Sequence, residues 1–109
     1  MKATDIRDLV HFADDSAKRS TLFESKHLWS EVICLEGAQG VGPMTDAGSD
    51  AIVTVLAGEV AAQVGSKRVR LRQWEAILVP AGGELTLNNA SPEPTVVLLV
   101  LSPPPESPE

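Results

Sequence analysis

Turn-forming residues divide most of this chain into segments that are too short for ordinary helices. Between residues 37 and 94, glycine, proline and asparagine separate short apolar segments, and turn signals every 8–12 residues along the chain are typical of all-β domains. The stretch "DAIVTVLAGEVAAQV" is an example, because two alternating apolar segments flank a turn at Gly58 and Glu59. About seven or more such strands, with almost no helical periodicity, predict an all-β sandwich or barrel.

The two ends of the chain differ from this central region. In "TDIRDLV", Ile6, Leu9 and Val10 follow helical spacing, which predicts a short N-terminal helix. The segment "SPPPESPE" is rich in proline, so an extended, mobile tail is expected there. We therefore divide the chain into an N-terminal arm (1–17), a barrel (18–101) and a proline-rich tail (102–109).

Composition excludes several classes of partner and site. The net charge of −6 argues against nucleic acid or an anionic membrane as the main partner, since both need a basic surface. A single cysteine, Cys34, excludes an internal disulfide and a cysteine-rich zinc site. The first residues are acidic and lack an apolar core, unlike a signal peptide, and no segment approaches a membrane span. A cytoplasmic protein is expected.

Two glycine-containing segments carry a family resemblance. Residues 43–59, "PMTDAGSDAIVTVLAGE", resemble the first motif of the cupin superfamily, with Pro43 and Gly58 at the family's spacing. Residues 75–89, "EAILVPAGGELTLNN", resemble its second motif, in which Pro80, Gly82 and Asn89 match. The resemblance implies an RmlC-like jelly-roll β-barrel made from a single domain, with a short N-terminal helix in front of it.

The metal-binding positions of those motifs are replaced. In metal-binding cupins, two histidines and a glutamate of the first motif and a histidine of the second hold one divalent ion. The corresponding residues here are Met44, Asp46, Ala51 and Leu85. A thioether suits soft ions, and alanine and leucine offer no ligand atom. We therefore expect neither a metal nor another cofactor. Trp74 stands where the family usually has glycine.

Strand alternation predicts what faces the barrel interior. If Ala51 faces inward, Val53 and Val55 do so as well, and Leu85 and Leu87 line the opposite wall. The interior is then largely apolar and suits a small, mostly apolar ligand, with Asp46 as its polar anchor. The candidate ligand-binding residues are Trp29, Met44, Asp46, Ala51, Val53 and Leu85.

Two other functions stay open. One is an enzyme, with replacement metal ligands such as His27 and Asp50 or with Asp46 as a general base. The chain has no tyrosine, and both histidines lie outside the motifs. The enzyme hypothesis therefore has less support from the sequence, and no catalytic residue is assigned. The other is a structural or protein-interaction role, for which the alternating arginines at 68, 70 and 72 and the tail are the candidate contacts.

A homodimer is the expected assembly. The run "TVVLLVL" is apolar on both faces of a strand, and Ile52, Thr54 and Leu56 would point outward from the barrel. Trp74 is expected to pack in a barrel corner or a subunit interface, whereas Trp29 could face the cavity or a neighbour. The glycine-rich segment "GAQGVGP" is expected to be a loop.

Overall fold

The computed structural model describes residues 1–105, which form strands, their connections and one short helical turn. The turn is a 3-10 helix at Ile6–Leu9, where Asp5 caps the first turn by accepting a hydrogen bond from the Arg7 N–H at 3.0 Å. The strands are β1 (Lys18–Glu24), β2 (Trp29–Leu35), β3 (Gly40–Met44), β4 (Asp50–Ala57), β5 (Glu59–Val64), β6 (Lys67–Arg72), β7 (Ala76–Val79), β8 (Leu85–Asn88) and β9 (Thr95–Ser102).

The strands form two antiparallel sheets that face each other. The larger has the order β1-β2-β9-β4-β7 and the smaller the order β3-β8-β5-β6. Residues that alternate along each strand point between the sheets, as predicted for Ala51, Val53, Val55, Leu85 and Leu87, which are all buried. The all-β jelly-roll prediction is confirmed, and the predicted N-terminal helix is limited to a single 3-10 turn.

The N-terminal arm covers part of the outward face of the larger sheet. Val32, Cys34 and Val96 are buried there beneath apolar residues of the arm, including Leu9 and Phe12. Burial raises the pKa of the Cys34 thiol, which keeps it in the unreactive protonated form. Cys34 is therefore a packing residue, as its apolar surroundings in the sequence indicate.

The glycine-rich segment 37–43 is only partly a loop: residues 37–39 form a turn as predicted, whereas residues 40–43 belong to β3, where the loop prediction is wrong. β3 pairs with β8, and the register shifts between Val41 and Met44, around Pro43. The glycines allow this pairing because a Cβ on Gly40 would collide with the Asn88 side chain. Gly42 has a φ of +110°, and a Cβ there would lie 2.6 Å from the Leu85 carbonyl oxygen.

The start of the C-terminal tail is docked on the barrel instead of free. The Ser102 hydroxyl donates to the His27 carbonyl oxygen at 3.0 Å, and the Ser49 hydroxyl donates to the Pro103 carbonyl oxygen at 2.6 Å. Pro104 and Pro105 are half-buried as a result. The rest of the predicted mobile tail, residues 106–109, lies outside the described residues.

Trp74 does not fill a barrel corner. Its side chain is 74% exposed, and its φ of +74° places the residue in the left-handed region. That conformation favours glycine, the residue that the motif resemblance implies at this position. The prediction that Trp74 packs in a barrel corner is therefore wrong. Its contact with another subunit remains a prediction.

Candidate functional site

A cavity of about 250 Å³ opens between the two sheets at one end of the barrel. The starts of β2, β4 and β8 meet the ends of β3, β7 and β9 there. Its apolar wall is formed by Trp29, Met44, Ala51, Val79, Pro80, Leu85, Leu99, Leu101 and Pro105, and its polar lining by Arg19, Thr45, Asp46 and Ser49. For comparison, an apolar cavity of about 150 Å³ can hold benzene. The space therefore suits a small ring or a short branched chain.

The structure brings most of the predicted site residues together. Trp29, Met44, Asp46, Ala51 and Leu85 line the cavity. They come from four strands and the loop after β3, so only the folded barrel makes them neighbours.

Val53 is the exception among the predicted site residues. It points inward as expected but is completely buried, with Leu99 and Ile77 as its cross-strand neighbours. It is part of the close-packed core and not of the cavity wall. The cavity reaches Ala51 but not Val53, which is the next residue on the same face of β4. Its assignment as a lining residue is therefore wrong.

Asp46 joins the two motif loops. Its Oδ1 accepts a hydrogen bond from the Gly48 N–H at 2.9 Å, and its carbonyl oxygen accepts one from the Gly82 N–H at 2.9 Å. Asp50 also holds the loop of the second motif, from outside the cavity, because its Oδ1 accepts a hydrogen bond from the Ala81 N–H at 2.9 Å. Both carboxylates therefore hold loop backbone in place, and Asp46 in addition lines the cavity.

An ion pair on the inner face of the larger sheet was not predicted. The Arg19 Nε donates to Glu31 Oε1 at 2.7 Å, and its Nη2 lies 2.5 Å from the same oxygen. Glu31 is only 4% exposed. Burial raises the pKa of its carboxyl, and the positive charge of Arg19 opposes that rise without cancelling it.

One signal for Glu31 was present in the sequence. In "WSEVICL" the alternation that turns Trp29 and Ile33 inward also turns Glu31 inward, and a lone acid on an apolar face needs a partner. The partner itself could not be found this way. Arg19 reaches Glu31 only because β1 pairs with β2 in a register that sets Arg19 opposite Ile33.

The contact of Ser49 with the tail was also not predicted from the sequence. It is buried, and its hydroxyl holds Pro103, which brings Pro105 to the cavity wall. The tail therefore contributes to the site, although the sequence pattern treats it as separate from the barrel. Because the hydroxyl donates to a backbone carbonyl, it is not positioned beside a general base as a nucleophile would be.

The donors at the family's metal positions do not fit a divalent ion. Met44 and Asp46 offer one thioether and one carboxylate, and Ala51 and Leu85 offer nothing. The candidate replacement ligands are elsewhere, since His27 and Asp50 are exposed and do not line the cavity. Within residues 1–105, no group of three or more histidine, cysteine, aspartate or glutamate residues is arranged to hold a metal ion.

The sequence matches the profile of a known domain family. Residues 31–101, which include both motifs and every strand from β3 to β8, match the cupin domain. The chain belongs to the cupin family. The resemblance carried by the two motifs is thereby confirmed.

Solved cupin-fold structures superpose on this chain over nearly its full length. TT1209 from Thermus thermophilus is 27% identical, with a TM-score of 0.91 over 96% of this chain and 100% of that one. The conserved SPY1581 protein of unknown function from Streptococcus pyogenes is 28% identical, with a TM-score of 0.78 over 94% of this chain and 88% of that one.

A third relative supports the fold alone. An RmlC-like cupin protein from Desulfovibrio desulfuricans is 17% identical, with a TM-score of 0.86 over 95% of this chain and 98% of that one. No curated protein matches the sequence. None of the helical structure within residues 1–105 has the length and apolar character that crossing a membrane requires.

Proposed function

We propose that this cupin is a metal-free binding protein for a small, largely apolar molecule held in the cavity between the motif loops. The observation that carries the proposal is the lining of that cavity. Trp29, Met44, Leu85 and Leu99 supply apolar surface, and a few polar groups lie among them. Small-molecule sites have this character, with apolar walls and a few placed polar groups that orient the ligand.

The hydrogen bonds that the polar groups of the cavity already make favour binding over catalysis. Asp46 accepts a hydrogen bond from its own loop, and the Ser49 hydroxyl is committed to the Pro103 carbonyl. Each of these polar groups thus has a structural partner, whereas an acid–base pair for catalysis would face a common reacting atom.

The single buried cysteine is consistent with the reducing cytoplasm as the location of the protein.

Trp29 offers a direct readout of ligand binding. It lines the cavity, and Trp74 is exposed on the surface, so a Trp74→Gly variant leaves Trp29 as the single tryptophan. The left-handed backbone at position 74 accepts glycine without strain. In that background we expect toluene to change the emission of Trp29 saturably.

A cavity-filling substitution provides the specific control. Ala51→Leu places three more carbons into the cavity and should abolish the response to toluene. Ala61→Leu makes the same change on the outward face of β5, where Ala61 is opposite Arg70, and should leave the response intact. Absence of any saturable response to toluene in the parent protein would contradict the proposal.

We further propose that the protein is a homodimer formed through the outward face of the larger sheet. Ile52 is 47% exposed and Leu78 is 66% exposed, and Ile52 lies between Leu78 and Val100 in the sheet. Adjacent exposed apolar side chains of this kind are typical of protein contact surfaces.

A further inference from the structure

Arg19 gives the apolar cavity a single positively charged group. Among the described residues that line it, no other lysine, arginine or histidine is present. Arg19 lines the cavity and its side chain is 42% exposed, whereas its partner Glu31 is 6% exposed and is not part of the lining. A ligand that enters the cavity therefore meets the cation and not its buried partner.

Glu31 uses only one edge of that guanidinium. Both contacts, from Nε and from Nη2, go to the same oxygen, Oε1. Nη1 makes no hydrogen bond to any residue between 1 and 105, so the edge formed by Nη1 and Nη2 retains N–H donors. A guanidinium can bind a carboxylate through two parallel N–H groups along one edge.

The ion pair also fixes the position of the cation. Arg19 is on β1 and Glu31 is on β2, and the two strands are paired along their length. A side chain that is already held in place loses little conformational freedom when a ligand binds.

We infer that the cavity selects a small amphipathic carboxylate, whose carboxylate binds the free edge of Arg19 and whose apolar body packs against Met44, Leu85 and Leu99. The inference deepens the proposed function and rests on it. Asp46 is the other charged group that lines the cavity within residues 1–105, and its Oδ1 is already engaged by the Gly48 N–H.

Benzoate and benzamide are the probes that test this inference. They share size and shape and differ in charge, so the ratio of their dissociation constants isolates the contribution of the carboxylate. A charge-assisted pair of hydrogen bonds in a partly dry site should favour benzoate by about tenfold or more. The ratio is measured by NMR titration of the protein at pH 7, together with toluene as a neutral reference.

Variants of the ion pair test the role of Arg19 itself. Arg19→Gln alone would leave Glu31 buried without its partner, so the informative variant is the double substitution Arg19→Gln with Glu31→Gln. It should abolish the preference for benzoate and retain binding of toluene. Glu31→Gln alone keeps the guanidinium without its internal counter-charge and should strengthen benzoate binding.

A matched control is available on the opposite side of the molecule. Arg70 and Glu59 form an ion pair on the outward face of the smaller sheet, with Nη1 and Oε2 2.5 Å apart. Replacing both with glutamine makes the same change in charge away from the cavity and should leave the preference for benzoate unaltered.

The outcomes separate the two proposals. Equal affinity for benzoate and benzamide, or a preference that survives in the Arg19→Gln, Glu31→Gln variant, overturns the carboxylate inference. If toluene still binds in either case, the apolar binding function stands without it. If none of the three probes binds, both proposals fail.

Discussion

The outward faces of the two sheets differ in chemistry although both belong to one small barrel. On the smaller sheet, Arg68, Arg70 and Arg72 share the outward face of the edge strand β6, as their alternation in the sequence predicts. Arg70 is paired there with Glu59. On the larger sheet, the outward row from β9 through β4 to β7 consists of Val100, Ile52 and Leu78.

This difference supports the proposal that the smaller sheet faces solvent and the larger sheet contacts a second copy of the chain. A charged edge strand is a common means of preventing further strand pairing, so the smaller sheet is suited to water. The larger sheet is covered by the N-terminal arm at one end, over Val32, Cys34 and Val96, and its other end carries exposed apolar side chains. The following predictions test the comparison, from the largest expected effect to the smallest.

Loss of the assembly is the largest effect expected. Replacing Ile52 and Leu78 together with lysine places two charges on the proposed dimer surface, and we expect the dimer to become a monomer in sedimentation experiments. Ala61→Lys on the outward face of the smaller sheet should leave the dimer intact. A parent protein that is monomeric at micromolar concentration would contradict the proposed dimer. The apolar face of the larger sheet could then not be interpreted as a contact surface between subunits.

The inner and outer faces of the larger sheet should differ strongly in their contribution to stability. Ile33 is fully buried between the sheets, so Ile33→Ala should lower the free energy of unfolding by about 2–5 kcal/mol. Leu78→Ala, made in an Ile52→Lys protein that sedimentation shows to be monomeric, should change it by no more than about 0.5 kcal/mol. Chemical denaturation measures both, and a large cost for Leu78→Ala would mean that this face packs within the subunit.

The buried ion pair should produce a dependence of stability on pH. Burial raises the pKa of Glu31 above its value in the unfolded chain, so the folded state binds the proton more tightly. The stabilisation from protonation is fully present below the unfolded pKa and is lost as pH rises through the folded pKa.

Comparison with a variant that cannot titrate isolates this effect. The difference in unfolding free energy between the parent protein and Glu31→Gln should therefore increase in favour of the parent as pH falls from 7 towards 4. Urea denaturation across that range measures the difference. A constant difference would show that the pairing with Arg19 balances desolvation, and a difference that moves in the opposite direction would show that the pairing outweighs it.

The exposed ion pair should have the smallest effect. Arg70 and Glu59 lie on the solvated face, where water and salt screen their attraction, so Arg70→Gln should cost less than about 1 kcal/mol. The cost should decrease further at high salt. A larger, salt-independent loss would show that the arginine side chains of β6 do more than keep this face solvated.

Several features of the fold and the site were predictable because they depend on local pattern. Alternation together with the motif resemblance placed Ala51 and Leu85 inward, and the motif spacing identified the segment that carries Met44 and Asp46. The limit of that reasoning is shown by Val53, since alternation gives the direction of a side chain and not its depth.

Glycine content was misleading at β3. Glycine and proline ordinarily mark loops, but Gly40 and Gly42 are required by close approach to β8, and that contact is invisible without the partner strand. The same reason applies to the tail, where Ser49 and Pro103 are far apart in sequence and meet through one hydrogen bond.

The sequence by itself determined the cupin barrel, the loss of the family's metal ligands and the apolar character of the interior, because period-two alternation and motif spacing are local properties of the chain. Only the tertiary structure decided that Arg19 meets Glu31 at the cavity and that Ser49 holds Pro103 beside it. Those contacts depend on strand register and loop position, which arise when segments distant in the chain pack together.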